Sequence, residues 1–316
     1  MDFSVIIPVH NLEQLVTVAI DSVVKAMNFD KKAKVEVVVV DDGSSDGTSS
    51  VLKNYTDKYS WIKVLQQDHK GLGAARNFGM LNATGRYILF LDADDYLRHD
   101  VFKVLRKKIA ISEPELIVFK WQPFGPGNDD NNKYGEFTVK GAWIACWNKC
   151  YKRELIIDEK FPENVVYEDT GFFISAWYKA KNKTFIDKAL YFYRTRDDGL
   201  SKYKHDFETR LECLIGFKEA LENSEHAEPV KTIVVETIIK HINRNFHSNK
   251  ELDGDHIKVL QRFFERHNLF ATSILKDRNT IVQMLFMQLL KRGNIRLLVS
   301  AIRYKVLVQK VLNRNM

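Results

Sequence analysis

Cysteine is scarce in this 316-residue chain, with Cys146, Cys150 and Cys213 as its whole complement. An odd few argue against a disulfide framework, and Cys146 and Cys150 lack the companion ligands of a zinc site, so reduced, buried thiols are expected. No run of about twenty apolar residues occurs, so no membrane-spanning helix is expected. No charged-then-apolar leader precedes the first strand pattern, which gives no signal for secretion. The expected setting is cytoplasmic, and the sequons at Asn54, Asn82 and Asn182 then carry no weight. No internal repeat is visible. From about Lys204 onward Gly and Pro nearly vanish and no strand pattern remains, and after Asp277 no acidic residue follows.

What is present is a strand-and-helix alternation over the first half. An apolar content of 45% suffices for a sizeable core, one main domain plus an appendage. Phe3–Val9 and Val35–Val40 read as buried strands, with a helical pattern from about Leu12 to Ala26 between them. The second strand runs into Asp41-Asp42-Gly43-Ser44-Ser45-Asp46-Gly47-Thr48, where Gly and Ser permit a tight turn. Asp46 or Thr48 can cap a helix reaching about Tyr59. A third strand, Ile62–Leu65, precedes the Gly-rich Lys70–Asn77 and a further helix. The fourth strand, Tyr87–Leu91, ends on Asp92-Ala93-Asp94-Asp95. This order predicts an α/β fold, a mostly parallel sheet flanked by helices, whose ligands bind at the carboxyl ends of the strands. Oxygen ligands in a D-x-D pattern suit Mg²⁺ or Mn²⁺, the alternative being a solvated acidic turn. Asp95 caps a helix from about His99 to Ser112 in this reading.

The strings VIIPVHN, VVVVDDGSSDGT, GLGAARNFGMLNATG, RYILFLDADD and YEDTGFF, in this order, resemble an inverting family 2 glycosyltransferase of the bacterial polysaccharide type over roughly the first two hundred residues. The resemblance implies a GT-A (nucleotide-diphospho-sugar transferase) fold, and it implies roles. Pro8, His10, Asp41 and Asp42 match positions around the nucleotide base, with His10 standing where the family more often has Tyr. Arg76 matches a residue near base and ribose. Asp92 and Asp94 match the pair that holds the metal and the ribose-diphosphate, with Asp94 the closer ligand. Asp169 matches the general base that takes the acceptor hydroxyl's proton, with Glu168 orienting it or the acceptor. The alternative for both acids is a favourable helix N-terminus.

Trp147, Asn148 and Lys149 resemble a W-N-K segment and are candidates for acceptor or donor-sugar contact, with core packing of Trp147 as the other reading. Arg194 and Arg196, in a Y-x-Y-R-x-R segment, would face the diphosphate or lie on the surface. The Q-x-x-R-W signature of processive synthases is absent, so addition of one or a few sugars is implied. The polar Pro123–Asn132 stretch reads as a loop or hairpin tip.

The resulting division is a catalytic domain over 1–203, with a nucleotide-sugar half 1–98 and an acceptor half 99–203, and an α-helical region over 204–316. In the latter, Phe207–Ser224, Val230–Phe246, Asp255–His267 and Thr280–Leu290 have helical periodicity, and His241, His247, His256 and His267 lack metal-binding spacing. The terminal cations Arg278, Lys291, Arg292, Arg296, Arg303, Lys305, Lys310 and Arg314 alternate with apolar residues. Such a helix lies on an anionic membrane, packs on its own domain, or joins a second subunit in a homo-oligomer. The net charge of +7 would also suit nucleic acid, but no helix-turn-helix, zinc-finger or RNA-binding signature accompanies it, so no nucleic-acid partner is expected. A sugar-phosphate nucleotidyltransferase would need a basic Gly-rich loop after the first strand, where Pro8–Asn11 stands. The expected function is sugar transfer from a nucleotide-diphosphate sugar, UDP-linked by the resemblance, to a glycan or lipid-linked acceptor in cell-envelope or exported polysaccharide assembly. The expected location is the cytoplasm or the inner face of the membrane. The alternative is an inactive nucleotide-sugar-binding scaffold of the same fold.

Overall fold

A computed structural model describes residues 1–125, 145–165, 167–196, 230–238, 254–271 and 288–293. The chain divides into two compact units, Met1–Lys202 and Tyr203–Met316.

The first unit begins β1 (Phe3–Val9), α1 (Val16–Phe29), β2 (Val35–Asp42), α2 (Thr48–Lys58), β3 (Ile62–Gln67), α3 (Leu72–Asn82) and β4 (Tyr87–Phe90). It continues β5 (Tyr96–Leu97), α4 (Val101–Ser112), β6 (Leu116–Phe124), β7 (Lys149–Lys152), α5 (Arg153–Ile156), α6 (Glu168–Lys179) and β8 (Lys183–Arg194). One sheet takes them in the order β3-β2-β1-β4-β7-β6-β8-β5. The β3-β2-β1-β4 side is wholly parallel, and the antiparallel pairings all involve the later strands, β4 with β7, β6 with β7 and β5 with β8. The sheet is therefore mixed, with its parallel part where the nucleotide half was expected.

The continuous apolar runs of β1 and β2 follow from burial on both faces. Val5, Ile7, Val37 and Val39 pack with Ile20 and Val23 of α1 and Leu52 of α2, whereas Ile6, Val38 and Val40 pack with Ala75 and Met80 of α3 and Phe172 of α6. Period-two alternation sends successive residues to opposite helical layers, and nothing between them faces water. Parallel packing also brings the carboxyl ends of β1, β2 and β4 to one rim of the sheet.

Two boundaries differ from the sequence pattern. Helix α1 starts at Val16 rather than near Leu12, because the Leu12 N–H donates to Thr48 Oγ1 at 3.1 Å and the Glu13 N–H to Asp46 Oδ2 at 3.1 Å, which ties 11–15 to the turn after β2. Asp95 does not cap α4, whose N-cap residue is Asp100. It is fully buried and turns back to β8 instead.

In the second unit, residues 230–238 are helical, and a helix spans Gly254–Arg266 on an apolar stripe of Ile257, Leu260 and Phe264. The readings for Phe207–Ser224 and for the basic terminus beyond Asn294 lie outside the described residues, as do Pro126–Asn132 and Cys213. Among the described residues no helix is long and apolar enough to cross a membrane. Cys146 and Cys150 are buried free thiols.

Candidate active site

The rim site starts from two turns and one buried arginine. After β2, Asp41 accepts hydrogen bonds from the Ser44 N–H at 3.0 Å and the Ser49 hydroxyl at 2.6 Å, which closes the turn onto α2. Asp42 points to the other face. Its Oδ1 accepts from Gln67 Nε2 at 2.7 Å and the Lys70 N–H at 2.8 Å, and its Oδ2 from the Gly71 N–H at 2.8 Å, with His69 Nδ1 at 3.0 Å. Three donors therefore fix the Asp42 carboxylate, while His69 Nδ1 also lies 3.2 Å from the Asp42 carbonyl oxygen. Asp42, buried at the end of β2, thus holds the start of α3 through the Lys70 and Gly71 N–H groups. Asp41 keeps unoccupied lone pairs and lines a cleft of about 770 Å³ together with Ser44, Gln66, Lys70 and Asn77. Pro8 is buried within β1 beside Val40.

His10 extends from the end of β1. Its Nδ1 lies 2.8 Å from the Asp42 carbonyl oxygen and its Nε2 3.1 Å from Asn11 Nδ2, and its ring stacks on His69 at 4.1 Å. Asn11 Oδ1 already accepts from the Ser45 N–H at 2.8 Å, so its amide nitrogen faces His10. Nε2 is then the acceptor and Nδ1 carries the proton, donating to the carbonyl. His10, Asp42 and His69 stand close enough together to hold a metal ion, and both His10 nitrogens are already engaged, Nδ1 with the Asp42 carbonyl and Nε2 with the Asn11 amide. The cluster fits hydrogen bonding better than a metal.

Arg76 on α3 is 1% exposed. One terminal nitrogen donates to Asp92 Oδ1 at 2.9 Å and the other to Glu168 Oε1, and the guanidinium lies over the Phe161 ring at 5.4 Å. Arg76 is thus not a surface residue, and its fork joins the end of β4 to the start of α6. The approach is made possible by Gly73, where a Cβ would stand 2.1 Å from the Pro162 carbonyl oxygen. Asn77, one turn on, exchanges two hydrogen bonds of 2.8 Å with the Phe161 backbone. Helix α3 is therefore clamped to the segment leading into Glu168-Asp169.

Asp169 is partly buried, accepts from the Cys146 N–H at 3.4 Å, and has its pKa pushed up to about 7, first by desolvation and then by the neighbouring Glu168 charge, with Arg76 opposing. A carboxylate poised there can exchange a proton near neutrality. Asp94 is raised above the usual carboxylate range by burial and by Asp92, and Arg196 Nε lies 3.4 Å from its carboxylate. Crowded, partly desolvated oxygens of this kind fit a hard divalent cation, which would relieve the repulsion. Arg194 donates through Nε to the Asp94 carbonyl at 2.8 Å and through its backbone N–H to Asp95 at 2.6 Å. Arg194 and Arg196 therefore grip the acidic turn itself.

Trp147, Asn148 and Lys149 are buried. Trp147 stacks on Tyr191 at 4.5 Å, Asn148 Nδ2 donates to the Phe119 carbonyl, and Lys149 Nζ donates to the Ala145 carbonyl and lies over Phe173. Burial pulls the Lys149 pKa down to about 7. These contacts match the core-packing reading of Trp147 and place Asn148 and Lys149 in the same buried layer. Sequence reasoning assigned no role to His69 or Tyr191. The aromatic spacing of Tyr191 and Tyr193 marks one face of β8, but nothing local marks His69.

The family model described as "Glycosyl transferase family 2" matches residues 4–179. "Glycosyltransferase GlyA" of Streptococcus pneumoniae is 30% identical over 222 residues, 63% of this chain and 31% of its own length. "Poly(ribitol-phosphate) beta-N-acetylglucosaminyltransferase TarS" of Staphylococcus aureus is 29% identical over 210 residues, 63% of this chain and 36% of its own length. The chain thus spans about a third of these two curated relatives. The crystal structure of S. aureus TarS 1–349 in complex with UDP-GlcNAc superposes with a TM-score of 0.77 at 22% identity, covering 96% of this chain and 91% of that one, a likeness of fold.

Proposed function

The chain belongs to glycosyl transferase family 2 and has its GT-A fold, and from that premise we propose that it moves a sugar from a nucleotide-diphosphate donor to an acceptor hydroxyl with inversion. The observation that carries this reading is the Arg76 fork, which ties the Asp92 turn and the Glu168-Asp169 helix start to one guanidinium.

Asp169 is the base. It takes the proton of the acceptor hydroxyl as the oxygen attacks the anomeric carbon, and the diphosphate leaves from the opposite face, so no glycosyl-enzyme forms. Its proton affinity near 7 suits that transfer in neutral solution. Glu168, held by Arg76, fixes the first turn of α6 and so aims Asp169. Asp94 with Asp92 would hold Mn²⁺ or Mg²⁺, which when bound supplies positive charge against the departing diphosphate. Arg194 and Arg196 add cationic charge beside the same turn. Asp41 and the His10 face are the candidates for the nucleobase, and the UDP-GlcNAc held by TarS supports a UDP-linked donor. The acceptor is a glycan or lipid-linked hydroxyl in cell-envelope polysaccharide assembly, by analogy with the poly(ribitol-phosphate) named for TarS. The setting we infer is the cytoplasm or the inner face of the membrane. Residues 204–316 would meet an anionic bilayer, a second subunit or their own domain, and loss of vesicle association on deleting 294–316 would single out the bilayer.

Donor hydrolysis and transfer, measured across a panel of nucleotide sugars with Mn²⁺ or Mg²⁺, test the central reading. Turnover of one donor that disappears in Asp169→Asn, with nucleotide binding retained, is the expected result. Binding without turnover of any donor would favour a nucleotide-sugar scaffold of the same fold, and turnover retained by Asp169→Asn would remove the base.

A further inference from the structure

The turn Asp92–Asp95 is held from β8 by a set of contacts to which the proposed reaction assigns no role. Tyr191 is fully buried, and its hydroxyl does two things at once. It accepts from the Asp92 N–H at 3.2 Å and donates to Asp95 Oδ2. The other oxygen of Asp95 accepts from the Arg194 N–H at 2.6 Å. Asp95, 0% exposed, therefore has both oxygens tied to β8, and the chain between it and Asp92 carries Asp94. The Tyr191 ring is fixed in turn, stacked on Trp147 at 4.5 Å and 22°, while Trp147 stacks on Tyr193 at 5.5 Å. A rigid aromatic column thus ends in one hydroxyl placed between the first and last residues of the acidic turn.

We propose that Tyr191, acting through Asp95, is a positioning residue that sets the spacing of the Asp92 and Asp94 carboxylates for a divalent cation. This rests on the reading of those two acids as the metal pair. A hard cation tolerates little error in ligand placement, and partners that hold its ligands typically change affinity by about 10–100-fold when removed. Tyr191→Phe keeps the ring on Trp147 and deletes only the hydroxyl, so the column survives while the tie to Asp92 and Asp95 is lost.

The experiment is Mn²⁺ titration of the full chain with UDP held saturating, followed by electron paramagnetic resonance of free Mn²⁺, with UDP affinity in chelator and thermal unfolding measured alongside. In Tyr191→Phe we expect Mn²⁺ half-saturation raised by about tenfold, metal-free UDP affinity unchanged, and turnover restored by excess Mn²⁺. Unaltered Mn²⁺ affinity in the folded variant overturns the inference, and so does a turnover defect that excess Mn²⁺ leaves in place. Should Tyr191→Phe fail to fold, Asp95→Asn is read by the same criteria. Asp94→Ala separates the two levels. If it binds Mn²⁺ as the wild type does, the metal pair itself is misassigned, whereas loss of Mn²⁺ there with no change in Tyr191→Phe removes only the role of Tyr191.

Discussion

Replacing Arg76 by methionine removes the cation between Asp92 and Glu168 while leaving an unbranched stem in the same packed slot. The two acids are unequally enclosed, with side-chain exposures of 9% for Glu168 and 25% for Asp92. Removing one member of a buried ion pair destabilises by about 3–5 kcal/mol, because the remaining charge stays desolvated without a partner. Solvent reaching Asp92 screens its share, so the lower end, about 3 kcal/mol, is expected. For a folded unit of this size, that loss lowers Tm by about 6–12 °C. Calorimetry at pH 8, with urea unfolding followed by tryptophan fluorescence, measures it. Arg76→Lys should fall between, since a point-charge ammonium does not reproduce the two-pronged guanidinium. The deficit should narrow in acid, where a stranded carboxylate is relieved by taking up a proton. A Tm for Arg76→Met within about 2 °C of the wild type would refute the reasoning, because the fork would then contribute less than about 1 kcal/mol.

Transfer activity should rise with pH through about 7, the region where Asp169 becomes ionised, and a pH profile of kcat/KM flat between 5.5 and 8.5 would remove Asp169 as the titrating base. Gly73→Ala drives a Cβ into the Pro162 carbonyl and should cost about 1–3 kcal/mol, read as a drop in Tm, with an unchanged melting curve showing that the segment yields freely. Burial holds the folded-state pKa of Lys149 at about 7, below its unfolded value of roughly 10.4, so the unfolded chain binds the proton more readily and wild-type stability rises with pH across that window. Lys149→Met lacks this dependence. Its stability relative to wild type should therefore be greatest at about pH 7 and shrink toward pH 10, and a parallel pair of stability curves would contradict the burial argument.

Local pattern made much of this fold legible. Four apolar runs followed by acids or turn formers are a one-dimensional signal, since a strand buried on both faces is apolar along most of its length, and β1, β2 and β4 are, with the buried Ser4 of β1 hydrogen-bonded to the buried Glu36 of β2. The order of those runs determined that Asp41 and Asp92 would stand on one rim, because parallel strands share a carboxyl end. Tertiary structure decided what the side chains on that rim do. The four partners of Asp42, the fork from Arg76 to a residue 92 positions away, and the Tyr191 hydroxyl between Asp92 and Asp95 join distant parts of the chain and leave no periodicity to read. Trp147, Asn148 and Lys149 show the same limit from the other side, since an aromatic, an amide and a cation suit a sugar as well as they suit a packed floor. Only the neighbours that exclude water distinguish those outcomes, because burial is a property of the assembled layers and not of the residue.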